Sequence, residues 1–134
     1  MKNYKQFHDG FFEGLWIPQK GTAKIYLGTI TGERATVVLN GVVMLKATDF
    51  REGNIIFDVT IRTAEEITLM DIAELYDLQQ DRQPAAWEDQ LLEKARKQGF
   101  QLFQISASYG GSCLALCATF EFTGNGRSAA LDLI

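Results

Sequence analysis

The side chains with the widest range of chemistry in this 134-residue chain are one histidine and two cysteines. His8 is the only histidine, and Asp9 follows it directly. A histidine beside a carboxylate is a candidate for acid–base catalysis or metal binding. Because a zinc site normally takes three or four nitrogen or sulfur ligands, this chain can scarcely supply one. We therefore predict no metal and no cofactor, and we expect His8 in a turn or at a partner contact.

Cys113 and Cys117 are candidates for a nucleophile that His8 would activate as a base. Both occur in an apolar run that predicts a packed strand, where a cysteine behaves as a small apolar residue. Four residues apart on a strand, their Cα atoms would be about 13 Å apart, which is too far for a disulfide. We predict two reduced, structural thiols, and the catalytic residues of any enzyme stay unknown.

A pocket at the mouth of the sheet is a second place where chemistry could occur. His8, Asp9 and Tyr109 are the polar side chains that we assign to such a pocket, which would be lined by aromatic residues. The residues around Tyr109 match neither a nucleophile elbow nor a phosphate loop. Gly110 and Gly111 after it are typical of a hairpin turn.

The charge of the chain is unevenly distributed. The net charge is -4, but residues 63–93 hold nine carboxylates against one base, Arg82, and carry -8. An acidic chain is a poor match for nucleic acid, and the acidic segment favours a basic protein partner. A solvated outer helix face is the alternative interpretation. The residues that we assign to partner binding are Asp71, Glu74, Asp77, Asp81, Glu88 and Asp89.

Alternating apolar and polar residues predict the sheet that would position these groups. Residues 34–62 have a period of two, with Ile55, Phe57, Val59 and Ile61 expected inside and Ile56 as the exception. The first 62 residues predict a meander of four or five antiparallel strands. A closing hairpin follows near residues 102–122, and residues 128–134 are an edge strand or a trailing end.

Two helices are predicted between the meander and the hairpin. Leu69, Ile72, Ala73 and Tyr76 share one helical face, with Thr63 or Thr68 as the cap. In the second helix, Pro84 suits the first position, Gly99 suits the C-terminal cap, and the shared face is formed by Trp87, Leu91 and Ala95. The chain is therefore predicted to be α+β: a curved antiparallel sheet or partial barrel with one or two helices, in a single domain over residues 1–134.

The N-terminus and the hydropathy of the chain bear on its location. The first residues lack the apolar stretch of a signal peptide, and no apolar run reaches the length of a membrane span. We expect a cytoplasmic protein without a membrane partner. A homo-oligomer that pairs through edge strands is a further alternative.

The segments HDGFFEG, GERATVVLNGVVML, DFREGNIIFDV and ISASYGGSCLALC give the chain a resemblance to small uncharacterised bacterial proteins, some of which resemble immunity proteins of toxin systems. The resemblance implies a cytoplasmic, non-enzymatic α+β protein and transfers no catalytic residue. Our first hypothesis is a non-enzymatic protein-binding protein, immunity-like in role. The alternative is a small-molecule binding protein or enzyme that uses the pocket at the mouth of the sheet.

Overall fold

The computed structural model describes residues 1–124, which form nine strands, two α-helices and two single-turn 3₁₀ helices. The 3₁₀ helices are Lys5–Phe7 and Ala64–Glu66. The α-helices are α1 (Leu69–Leu75) and α2 (Ala86–Gln98). The strands are β1 (Lys2–Asn3), β2 (Phe11–Gln19), β3 (Thr22–Gly28), β4 (Arg34–Asn40), β5 (Met44–Thr48), β6 (Ile55–Arg62), β7 (Gln101–Tyr109), β8 (Ser112–Cys117) and β9 (Thr119–Gly124).

All the strands join one antiparallel sheet in the order β5-β8-β7-β6-β2-β3-β4-β9, and β1 pairs with β6. The meander is formed by β2, β3 and β4. The next strand, β5, pairs with β8 instead of β4, and β6 returns to lie beside β2 and β7. The predicted α+β class, with a curved antiparallel sheet and two helices, is confirmed.

A bend at Gly41 explains why β5 leaves the meander. Gly41 has φ 62°, and a Cβ atom there would lie 2.7 Å from the Cβ atom of Ala118. The amide of Ala118 donates to the carbonyl oxygens of Asn40 and Gly41, at 3.0 and 3.2 Å. The β4–β9 ladder therefore continues into the β5–β8 ladder with an offset of one residue. The two ends of the strand order meet at this bend, so the sheet curls.

The concave side of the curled sheet holds the main core. Its largest members are below 2% exposed: Phe7, Phe12, Ile25, Leu27, Leu39, Ile56, Phe103 and Ile105. The expectation for β6 is corrected here, because Ile56 points inward and Phe57 is 53% exposed. The cause is an irregularity in the β6–β7 register around Ile56, which shifts the alternation by one residue.

The helices pack on the outer face of β7 and β8 and form a second core there. Leu102, Leu114 and Leu116 of the sheet contact Ile72, Leu75, Leu92 and Ala95 of the helices. Because both faces of β8 are covered, that strand is buried almost throughout. Thr68 caps α1, whereas Thr63 caps the 3₁₀ helix before it.

The second helix departs from the predicted arrangement at its start. It begins at Ala86, so Pro84 precedes the first helical turn, and its buried face is formed by Glu88, Leu92 and Ala95. Trp87 is 42% exposed, whereas Ala95, which was predicted to share its face, is fully buried. Gly99 ends the helix with φ 70°, as predicted.

Asn54 joins three parts of the sheet. Its side chain is 1% exposed and donates to the carbonyl oxygen of Phe12 at 3.1 Å. Its Oδ1 accepts from the amides of Arg51 and Gly111, both at 2.7 Å. This oxygen also explains the glycines of the predicted hairpin, because a Cβ atom at Gly110 would lie 2.5 Å from it. The proposed strand or trailing end at residues 128–134 lies outside the described residues.

Replacing Asn54 by alanine is expected to lower the free energy of unfolding by about 3 kcal/mol, because three hydrogen-bonding groups of the backbone lose a buried partner. Urea unfolding measures this change. The matched control is Asn40→Ala at an exposed position, for which we expect a change within about 0.5 kcal/mol. Equal effects of the two substitutions would contradict the structural role of Asn54.

Candidate functional site

The space that the curled sheet encloses is packed with side chains. The residues that point into it include three phenylalanines, Phe7, Phe12 and Phe103, each no more than 1% exposed. Tyr4, Phe7, Phe120 and Phe122 add ring-to-ring contacts with centroid distances from 4.5 to 6.4 Å. Binding of a ligand inside the sheet would require these side chains to move, which favours function at the outer surface.

His8 and Asp9 lie together on the outside of the molecule. The ring of His8 donates from Nδ1 to the carbonyl oxygen of Phe57 at 2.6 Å, because a carbonyl can only accept. Its Nε2 lies 3.6 Å from Oδ2 of Asp9. Asn3, Lys5, Phe57 and Asp58 line a shallow groove of about 320 Å³ with His8.

Tyr109 lies across β6 from the other two predicted pocket residues. It pairs with Ile55 on the β7 side of β6, whereas Asp9 donates from its amide to the carbonyl oxygen of Ile56 on the other side. Tyr109 is 52% exposed and points away from the core. The structure thus places His8 and Asp9 side by side at the surface, with His8 alone of the three lining the groove, and it places Tyr109 across β6 from them.

Both cysteines are buried in the main core with free thiols. Burial in apolar surroundings raises the pKa of the Cys113 thiol and of the Cys117 thiol to about 12. His8, the base of the thiol alternative, is exposed at the surface. Thiols that stay protonated in the core are poor nucleophiles, so their role is packing.

Two of the six predicted partner-binding residues hold the helices in place. Asp71 accepts from both guanidinium nitrogens of Arg62, at 3.0 and 2.7 Å, and from the amide of Thr68 at 2.8 Å. Its side chain is only 12% exposed. We assign Asp71 to anchoring the start of α1 against β6.

Glu88 has the same kind of role at the start of α2. It is 1% exposed and accepts from Arg82 through both oxygens, at 2.7 and 2.5 Å. The amide of Ala85 donates to it as well, at 2.6 Å. The hydrogen bonds from Arg82 and Ala85 hold the pKa of Glu88 below its usual value. We assign this pair to fixing the loop between the helices.

The other four predicted residues lie at the surface. Asp77 pairs with Nζ of Lys46 at 2.8 Å, and the same ammonium donates to the carbonyl oxygen of Glu74, so β5 is tied to the end of α1. Glu74, Asp81 and Asp89 are exposed, and no ion pair joins them to another residue within positions 1–124. These three carboxylates are open to a partner.

Trp87 is an exposed residue that the sequence pattern grouped with Leu91 and Ala95 on one face of α2. Its ring contacts that of Tyr76 edge to face, with centroids 5.1 Å apart, at the junction of α1 and α2. The apolar periodicity of α2 could not predict the exposure of Trp87, because the buried face begins at the next residue, the charged Glu88. Glu88 accepts from the amide of Ala85, but no sequence signature marks it, because alanine has no side-chain oxygen for the other half of a capping box.

Comparison with protein-family models, curated proteins and solved structures finds no match to the chain. The resemblance to immunity proteins therefore stays a prediction. Among the helices formed by residues 1–124, none has the length and hydropathy to cross a membrane. Within the same range, histidine, cysteine, aspartate and glutamate side chains form no group of three or more that could hold a metal ion.

Glu88→Gln is expected to lower stability towards urea at neutral pH, because it removes the ionised partner of Arg82. Since the folded pKa of Glu88 is below its ordinary 4.5, the stabilisation exists above that value and is lost as the pH falls through the folded pKa. The difference in urea midpoint between wild type and variant should therefore shrink on acidification to about pH 3. The control is Glu93→Gln at an exposed position of α2, and an equal loss there would contradict the assignment.

The buried thiols should react slowly in the folded protein. With a pKa of about 12 and no solvent access, Cys113 and Cys117 are expected to resist a disulfide reagent at about pH 8 and to react within minutes in urea. Absorbance of the released thiolate reports both rates. Rapid modification of either thiol without denaturant would contradict the packing role.

Proposed function

We propose that this protein is a non-enzymatic protein-binding protein whose partner is basic. The contact surface is formed by the exposed side chains of Glu74, Asp77, Asp81, Asp89 and Trp87, and we name it the acidic helical surface. It belongs to α1, α2 and the loop between them. An immunity-like role against a basic toxin is one form that such a function would take.

The observation that carries the proposal is that Glu74, Asp81 and Asp89 are exposed carboxylates that form no ion pair with the residues the structure describes. Asp71 and Glu88 are already neutralised by arginines, so the charge that remains is concentrated where a partner can approach. Uncompensated charge of one sign speeds the association of an oppositely charged protein and excludes partners of the same sign. A nucleic acid would be repelled by the same charges.

Trp87 supports the choice of this surface over other acidic positions. Tryptophan and tyrosine are the residues that most often dominate the binding energy of protein interfaces. An exposed indole also suits an arginine or lysine of the partner, since a cation binds to the face of the ring. Trp87 rests on Tyr76, so its position is fixed before a partner arrives.

The alternative function, small-molecule binding or catalysis at the mouth of the sheet, has weaker support. The enclosed space is filled by phenylalanine, isoleucine and leucine side chains, and the groove beside His8 is shallow and open. The two reduced, buried thiols suit a reducing compartment, and a cytoplasmic location is part of the proposal.

The test compares two charge-reversed variants as baits in a lysate of the cells that produce the protein. The first variant carries Glu74→Lys, Asp81→Lys and Asp89→Lys. The control carries Glu33→Lys, Glu65→Lys and Glu121→Lys, which changes the net charge equally at exposed positions outside the acidic helical surface. Bound proteins are eluted at low and then high salt and identified by mass spectrometry.

We expect a basic protein that wild type and control retain, that high salt releases, and that the first variant does not retain. A loss of at least about tenfold in affinity is expected when three carboxylates at an interface become lysines. Equal retention by both variants would contradict the acidic helical surface as the contact. Retention of no specific protein by wild type would count against protein binding as the function.

A further inference from the structure

A second surface, unrelated to the acidic helical surface, lies on the outer face of the sheet where no helix covers it. Phe11 of β2, Ile55 of β6 and Tyr109 of β7 are direct partners in neighbouring ladders, so their side chains form one row on the same side. Phe12 and Ile56, next to them in sequence, point into the core. The row is therefore on the outside, and its two aromatic members are 40% and 52% exposed.

Two further phenylalanines lie beside this row: Phe57 in β6, and Phe50 in the loop before β6, where its ring also contacts the ring of Phe12 edge to face. Phe57 follows Ile55 along the outer side of β6, is 53% exposed, and contacts the ring of His8 with centroids 5.7 Å apart. Phe50 is 50% exposed and lines a groove of about 280 Å³ with Phe11. We name the surface of Phe11, Phe50, Ile55, Phe57 and Tyr109 the aromatic face.

The size of the aromatic face is that of an interaction surface. Its four aromatic rings are each about half exposed, and a fully buried ring covers roughly 150–250 Å², so together they expose about 400 Å². Apolar patches of this size on soluble proteins normally mark a binding surface. A stable interface covers about 800 Å² on each partner, so the rings would supply half of it and the polar rim the rest.

The charges around the aromatic face indicate which partner fits it. Lys5 and Arg51 provide positive charge. Negative charge comes from four residues that line the two grooves or lie beside His8: Asp9, Glu13, Glu52 and Asp58. A rim with both signs is poorly matched to a strongly basic or strongly acidic partner. It matches a surface with the same mixture of charges. A second copy of the chain presents such a surface when a two-fold axis relates the two copies, because the same patch then meets itself.

We propose that the aromatic face is the interface between two copies of this chain. The dimer is held by stacked aromatic rings at its centre and by ion pairs between the mixed charges of its rim. No residue belongs to both the aromatic face and the acidic helical surface. The dimer therefore presents two acidic helical surfaces, and its existence does not depend on the proposed function.

The test is the mass of the full chain in solution, by light scattering after size exclusion, at concentrations rising to about 1 mM. The monomer has a mass of 15.0 kDa, and wild type is expected to approach twice that mass with rising concentration. A variant with Phe57→Lys and Tyr109→Lys should stay monomeric. The control variant, Trp16→Lys and Ile17→Lys, alters residues of similar exposure at the β2–β3 hairpin and should dimerise like wild type.

Circular dichroism establishes that each variant is folded. If the aromatic variant fails to fold, NMR of wild type still tests the proposal. A soluble paramagnetic agent should relax the NMR signals of Phe57 and Tyr109 less in the concentrated sample than in the dilute one, because the dimer covers both residues. A mass of 15.0 kDa at every concentration overturns the proposal and leaves a different protein as the occupant. A folded aromatic variant that dimerises, or a control variant that does not, overturns it as well.

Discussion

The bend at Gly41 is the constraint on which the rest of the structure depends. A residue with a side chain would need both a left-handed backbone and space that Ala118 already fills. Because β4 and β5 diverge here, one ladder continues from β4–β9 into β5–β8, and the sheet curls until its two ends meet. The curl gives the chain one concave side, and among residues 1–124 large buried side chains pack into it.

The helices cover one part of the outer side of the sheet and leave another part exposed. They cover β7 and β8 around Leu102, Leu114 and Leu116, and the arginine pairs of Asp71 and Glu88 fix their starting points. The carboxylates of Asp71 and Glu88 stabilise the helices through these ion pairs. The exposed carboxylates of Glu74, Asp81 and Asp89 are available to a binding partner. The part of the sheet that the helices do not reach carries Phe11, Phe57 and Tyr109, which accounts for two surfaces of different chemistry on one small protein.

Features that depend on residues close together in the sequence, such as helix ends and turns, were predictable from the sequence. Gly99 ends α2 and Gly110 permits a turn through their own backbone conformations, so these two features were predictable. For the start of α1 the sequence left Thr63 and Thr68 open, and Thr68 is the cap. Phe57 was placed on the wrong side, and Trp87 was grouped with the buried Ala95, because a shift in strand register and the start of a helix depend on distant partners. The role of Glu88 was hidden for the same reason, since it depends on how the loop returns Arg82 to the helix.

The central claim is that this protein acts through its outer surface and keeps a solid interior. The most direct measurement is methyl NMR of the labelled protein, recorded alone and in an extract of the cells that produce it. The account predicts shifts in methyl groups of α1 and α2, such as Met70 and Leu91, and unchanged signals from Ile25, Leu39 and Ile105 inside the sheet. Shifts of those interior methyl groups on addition of the extract would contradict it, because they would reveal a ligand in the enclosed space.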